Sequence, residues 1–445
     1  MFQGLSLDQA PPLSVPLRFF LTAPIMAGLA GLLLVLAPEG VLVTRWSPQW
    51  LAVTHLFALG FAAMIMMGAL FQMLPVVIGA PVVKPQLFGG WIHLAMTAGT
   101  LALSAGFLSG ESWLLGAGGL FLLMAVATFV TITLECFYRS RSAYETSVAM
   151  RWAVVSFAIT ALFGFLLVGG HATWWSLLRP WLTRLHVTWG FTGWIFLLIV
   201  GVSYQVIPMF YVAAPYPKWI KKYLSHVVFL LLVLVSAVIW WGVRANSSFD
   251  ASVVDSGGLA TIGLGGVAYA LVTAKTIFER KRKISDPTLW FWYLYLGFLA
   301  LIGLSLVALL FVPRLWEHFP QMELVFGLSV LFAAAGSVIQ AMLFKIVPFL
   351  VWFHLQSATM SHPKLMGKKI PHMKQIIGDG VIRRHFGFHI VSLLALLLAP
   401  WVHESLFQLA GVLVMVQSLH LVYWLGRSYR LERKTRSQWA IESTS

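Results

Sequence analysis

Charge is scarce in this sequence, and acid is scarcer still. Only 10% of the 445 residues are charged, and 15 Asp and Glu face 30 Lys and Arg. A soluble chain of this length needs far more charge to cover its surface. Cysteine is nearly absent: Cys136 stands alone, which excludes a disulfide framework and any thiolate metal cluster. Paired carboxylates, a Ser-His-Asp order and a glycine loop able to cradle phosphate are missing as well. The opening stretch has no basic n-region and no small-residue cleavage site before its first apolar run, so no cleaved signal is expected.

What the chain does have is apolar length. It is 59% hydrophobic, and crossing a bilayer takes about 20 consecutive apolar residues. Spans are expected near 17–37, 49–78, 87–109, 112–137, 149–169, 181–213, 219–243, 258–279, 287–312, 319–353, 385–402 and 404–426. The predicted fold class is therefore an all-α polytopic membrane protein of about twelve transmembrane helices.

The net charge of +15 invites a nucleic-acid reading, but its placement argues against one. Basic residues gather in alternate loops: Lys84; Arg139 and Arg141; Lys218, Lys221 and Lys222; Arg280 to Lys283. They continue with Lys364, Lys368, Lys369, Lys374, Arg383 and Arg384, then with the tail from Arg427 to Arg436. The opposite loops offer little beyond Arg45, Arg179, Arg244 and Arg314. By the positive-inside rule both termini are cytoplasmic, which demands an even number of spans. The expected location is the bacterial inner membrane, with the lipid bilayer as partner and no nucleic acid. The sequence carries no signal for an oligomeric state.

An internal threefold repeat runs through the chain. Three long spans close on "GALFQMLP" (Gly68 to Pro75), "GVSYQVIP" (Gly201 to Pro208) and "AMLFKIVP" (Ala341 to Pro348). Gly68, Gly201 and Ala341 permit close helix approach, and each proline is expected to end or bend its helix. His93 and His226 each follow their proline by 18 residues, and the third block opens its next helix with His385 and His389. The blocks end alike, in "FYRSR", "IFERKRK" and "LGRSYRLERK". The repeat divides the chain into four-helix blocks at 1–145, 146–286 and 287–445. The third block carries a basic insertion at 355–384 and the basic tail, and the insertion offers a surface for a partner or anionic head groups as well as a topological role.

Few acids enter the spans: Glu135 is the clear case, with Lys275 and Lys345 similarly placed near helix ends. Polar chemistry inside the bilayer thus falls to histidine. His55 and His186 lie about six residues into the second and sixth helices, in one layer. His93, His226, His389 and His420 lie in another, about 20–25 Å away at 1.5 Å per residue. His55 reads as an axial haem ligand, or as a packing histidine bonded to another helix. His186 reads as its counterpart at the equivalent point of the second block, or as a relic of duplication. The other layer supplies weaker ligand candidates, and His354, His362 and His372 are expected in solvent.

The segment "THLFALGFAAMIMMGALFQMLPVVIGAPVVKPQL" resembles the second helix of the haem-copper oxidase subunit I superfamily. The frame His55, Gly60-Phe61, Gly68, Pro75 is similar to the histidine helix of its NnrS-like branch. The resemblance implies twelve helices in three pseudo-equivalent arcs, and a haem bound by His55. It also puts His186 on the helix that supplies a copper ligand in the oxidases. The oxidases carry two haem-ligating histidines on helix 10, where this chain has Phe326 to Leu328, and a histidine pair on helix 7, where His226 stands alone. A copper site and an ordinary proton-pumping terminal oxidase are therefore not expected.

The arrangement left standing is a haem b between helices 2 and 6 with His55 and His186 as axial ligands. It points to an oxidoreductase-like role in electron transport or in a nitric-oxide-related response, alongside other respiratory-chain proteins. Two alternatives stay open: a transporter or channel for a small solute, haem or copper, and an assembly factor for respiratory complexes.

Overall fold

The structure, a computed structural model, describes residues 11–38, 44–140, 145–175, 180–245, 251–312, 319, 321–361, 363–365 and 367–444. Arg141, Arg179, Arg314 and His362, and the side chain of Arg244, lie outside what it describes. Among the described residues it is helical without strands, and twelve helices are long and apolar enough to span a membrane. In chain order they are α1 (Ser14–Leu36), α2 (Pro48–Ile78), α3 (Pro85–Ser109), α4 (Ser112–Arg139), α5 (Glu145–His171) and α6 (Pro180–Tyr211). They continue as α7 (Lys218–Gly242), α8 (Ser256–Phe278), α9 (Thr288–Ala308), α10 (Gln321–Met360), α11 (Asp379–Leu398) and α12 (Ser405–Trp439).

Burial separates three of these from the rest. The most apolar stretches of α2, α6 and α10 are 83%, 72% and 67% buried, against 50% or less for every other span. They form the centre, and α10 touches both α2 and α6. The other helices surround them, α3 against α4, α4 against α5, α7 against α8, α8 against α9 and α11 against α12. Helix α1 closes on α12. That closure needs glycine on both sides, because a Cβ on Gly31 would lie 2.7 Å from the Gly411 carbonyl oxygen and one on Gly411 2.4 Å from that of Gly31. Without a hydrophobic drive between helices in lipid, such close backbone packing is what holds neighbours together. Outward-facing Leu94, Leu301 and Leu419 are the lipid side of the same bargain with the bilayer.

The central helices share an irregularity at one register. Each switches to π-helical hydrogen bonding, over Leu56–Ala63 in α2, Trp189–Phe196 in α6 and Ser329–Gly336 in α10. The segments end at Ala63, Phe196 and Gly336, five residues before Gly68, Gly201 and Ala341 of the repeated octets. The prolines were expected to end or bend these helices. Pro75, Pro208 and Pro348 all lie inside their helices, which run on to Ile78, Tyr211 and Ser361.

The expected basic insertion at 355–384 is also more structured than a loop. Helix α10 continues into it, Met373–Ile376 adds a turn of helix, and α11 begins early at Asp379. Leu365, Ile376 and Ile377 are buried, so the segment is packed onto the bundle by its own apolar residues. His354, expected in solvent, sits on this extension with a buried, unpartnered Nε2, whereas His372 is exposed. Helix α12 likewise outruns its expected end at 426, and Glu432 is buried there beside Arg436.

At the basic end, Lys345 of α10 forms a largely buried ion pair with Asp286, just ahead of α9. Asp286 also accepts hydrogen bonds from the Thr288 backbone and hydroxyl, and Tyr211 joins the Thr288 hydroxyl at 2.8 Å. Burial pushes the Asp286 carboxyl up, but the Lys345 ammonium and these donors outweigh it and hold it below the usual carboxylate range.

Candidate functional site: a histidine-edged cavity

An i→i+5 turn widens a helix locally and re-aims its side chains, and such segments concentrate at functional sites. Here all three π segments line one cavity of about 1320 Å³. Its lining on α6 runs from Pro180 to Ile199, about 28 Å at 1.5 Å per residue. The charged lining residues sit at its mouth, at the end of the bundle away from the basic loops: Arg45 before α2, Arg184 in the first turns of α6 and Glu323 at the start of α10. Arg45 and Glu323 pair there at 3.1 Å.

His55 and His186 lie just inside the mouth and face each other across it. Their ring centroids are 6.5 Å apart with planes 18° from parallel. Each ring is anchored through Nδ1. His55 Nδ1 donates to the Leu51 carbonyl, one turn back, at 2.7 Å, and His186 Nδ1 donates to the Thr160 carbonyl of α5 at 3.0 Å. A carbonyl on Nδ1 fixes the tautomer and leaves the Nε2 lone pair free, the arrangement found behind metal-bound histidines. Gly164 makes room for the second ring, since a Cβ there would lie 3.0 Å from His186 Cε1.

These residues fit an iron macrocycle. Their ring centroids, 6.5 Å apart, are near enough for both imidazoles to approach one ion through their unbonded Nε2 atoms. The surrounding wall is apolar, with Phe107, Leu122 and Phe157 among its members. The two histidines are not strictly equivalent in the repeat. Counted from the prolines, His55 aligns with Thr188 and Leu328, and His186 with Val53 and Phe326. The offset of two residues is worth about 3 Å of rise, small enough for both rings to reach one plane. Phe326 and Leu328 of α10 line the cavity without offering a nitrogen.

His171 was not anticipated. It ends α5 at the cavity edge, with Phe107 packed between it and His55 at centroid distances of 5.8 and 5.3 Å. It lies two residues past the expected end of its span, which hid it among loop residues; the "GGH" that closes the helix was the available signal.

The second histidine layer resolves into separate environments, none of them lining the cavity. His385, His389 and His420 join in one network with Gln340 of α10. Proton positions that satisfy the Gln340 amide have His385 Nε2 donating to its Oε1 at 2.6 Å, and its NH2 donating to the Gly336 carbonyl at 3.0 Å and to His389 Nδ1 at 3.2 Å. His389 Nε2 then donates to Ser337 Oγ at 2.8 Å, and His420 Nδ1 to His385 Nδ1 at 3.1 Å. Gln417 Nε2 donates to Ser392 Oγ at 2.5 Å beside this network. His385 and His389 are fully buried, and both nitrogens of each are engaged. His93 Nε2 meets Thr22 Oγ1 at 2.8 Å, joining α3 to α1. His226 is exposed and bonds the Lys222 carbonyl. Among the described residues no three or more His, Cys, Asp or Glu side chains are grouped to hold a metal ion.

Fold and site together define a polytopic helical membrane protein with a deep apolar cavity edged by His55, His171 and His186. No protein-family model matches the chain, and no curated protein is detectably similar to it.

Proposed function

We propose that this is a haem-binding membrane protein of the haem-copper oxidase-like, NnrS-like type, with a b-type haem held between α2 and α6 by His55 and His186. The observation that supports this reading is the facing pair of imidazoles, each anchored by a carbonyl at Nδ1 and each presenting Nε2 to a large apolar cavity. A bound haem supplies one-electron redox chemistry and tunes its potential through axial ligands and burial. The chain's own contribution is to orient the two rings, exclude water with Phe107 and Phe157, and present Arg45 and Arg184 at the polar mouth. The role that follows is electron transfer, or a response to nitric oxide, in a bacterial inner membrane, with both termini in the cytoplasm.

The test is a pyridine haemochrome assay and an optical spectrum of the purified protein, reduced with and without carbon monoxide. A b-type signal that carbon monoxide leaves unchanged is expected from two axial histidines. His55→Ala should lose most of that signal; a variant that keeps full haem and an unaltered spectrum would overturn the assignment. The transporter reading rests on the same cavity, and a protein purified without haem would favour it.

A further inference from the structure

Two exposed arginines on the outside of the bundle, Arg384 of α11 and Arg427 of α12, have no carboxylate partner among the described residues. Arg384 stands in register with exposed Gly387, Val391, Leu394 and Leu398, a spacing of i, i+3, i+7, i+10 and i+14 that marks one face of a helix. Arg427 continues the exposed stripe of Val416, Leu419 and Tyr423 on α12. These are the faces that the two helices turn to lipid.

Depth makes the first of these charges costly. Helix α11 has 20 residues, about 30 Å at 1.5 Å each, which is about the thickness of the hydrocarbon layer. Its far end is followed by exposed Trp401. Arg384 lies five residues in from the basic end, so its backbone is about 7 Å inside that layer. The side chain can snorkel outward, and an unpaired charge at this depth calls for an anion that resides there too. An acidic soluble protein does not reach between two lipid-facing stripes.

The two arginines border one seam. His420 of α12 stacks on His385 at 5.1 Å and meets Phe388 and Trp424 at 6.1 and 6.3 Å. Arg384 is near enough to His420 to act on it electrostatically, and the Arg427 guanidinium lies 4.8 Å over the Trp424 ring. Half-buried Phe388, His420 and Trp424 thus floor the seam between α11 and α12, and each helix carries one arginine beside it. Gly387 leaves the α11 side bare, since a Cβ built there would meet nothing within 4 Å.

We propose that this seam is a site for an anionic phospholipid of the leaflet at the basic end, its phosphate held between Arg384 and Arg427 and one acyl chain laid over Gly387. Basic pockets between spans suit such head groups. None of these residues lines the cavity, and the inference does not depend on haem.

The test uses the purified, delipidated full-length protein in detergent, labelled with phosphatidylglycerol that carries a diazirine in one acyl chain, followed by peptide mass spectrometry. Unlabelled phosphatidylglycerol, phosphatidylethanolamine with the same chains, and glycerol 3-phosphate serve as competitors. Saturable labelling of the α11 and α12 peptides is expected, competed by phosphatidylglycerol and by neither of the others. Arg384→Gln and Arg427→Gln should each weaken binding about fivefold, and Gly387→Leu should reduce labelling by crowding the chain. Lys222→Gln, whose ammonium lies over Tyr223 at the basic end of α7, should bind as the wild type does. If Arg384→Gln does not fold, Arg427→Gln and Gly387→Leu decide the matter. The proposal is overturned by equal competition from phosphatidylethanolamine, by competition from glycerol 3-phosphate, by label spread evenly over all lipid-facing peptides, or by wild-type affinity in the arginine variants. Haem content measured on the same preparations tests the haem assignment separately, and loss of either finding leaves the other standing.

Discussion

The seat of His186 is made by a side chain that is not there. Gly164 faces the imidazole closely enough that a Cβ would sit 3.0 Å from Cε1, with the Thr160 carbonyl one turn away holding Nδ1. A branched side chain at that position must push the ring off its anchor. Gly164→Val is therefore expected to lower haem retention several-fold and shift the Soret band, while Gly265→Ala, whose new Cβ would meet Leu224 at an ordinary 3.5 Å, leaves both unchanged. Equal spectra in the two variants would count against the pairing of His55 with His186. At this scale the sequence was readable wherever a residue was chemically out of place. Histidines inside apolar runs draw notice, and His55 and His186 did, while His171, at the very end of its run, did not. Lys345 was visible as an intramembrane cation, but Asp286, which pairs with it, lies on a different part of the chain and only folding brings them together.

The helices themselves were legible because an apolar run long enough to cross a bilayer has few alternatives: in lipid every backbone group must be satisfied within the segment. Their ends were less so. Pro348 reads as an end or a bend, and α10 passes through it to Ser361, since Leu355 and other apolar residues beyond it still find a core. The π segments were invisible; "LFALGFAA", "WGFTGWIF" and "SVLFAAAG" share small residues but no signature that separates a π turn from an α turn. The junction of α9 with α10 carries its own prediction. The Lys345–Asp286 pair is mostly buried, with side chains 14% and 17% exposed, and removing one partner of such a pair costs about 3 kcal/mol. With Lys345 present, the depressed Asp286 carboxyl adds stability above its unfolded pKa of about 3.9, and that contribution disappears as pH falls through the lower folded value. In Lys345→Met, burial acts on Asp286 without the cation and raises the carboxyl instead. The variant should melt well below the wild type at pH 7, and the gap should narrow at pH 4.5 as Asp286 takes up a proton. A gap of the same size at both pH values would show that the pair is not what joins these helices.

For the whole molecule, the distribution of charge and the position of the cavity make one statement about orientation. Lys84, Arg139, Lys218, Arg280, Lys364 and the tail lie on one end of the bundle, and the mouth with Arg45, Arg184 and Glu323 on the other. If basic loops stay in the cytoplasm, the mouth and the histidine pair face outward. The chain lends itself to a direct test because its one cysteine, Cys136, is already buried. In a Cys136→Ser background, Glu111→Cys marks the exposed turn between α3 and α4, and Lys283→Cys the exposed basic loop between α8 and α9. A membrane-impermeant maleimide applied to spheroplasts should label the cysteine at 111 at once, and that at 283 only after the membrane is opened. The reverse pattern would turn the molecule over, place the His55–His186 edge on the cytoplasmic side, and require any electron donor to approach from there. Because the two sites lie at opposite ends of spans on one rigid bundle, labelling of both in intact spheroplasts would mean a mixed population, and the charge asymmetry would then be too weak to set the topology.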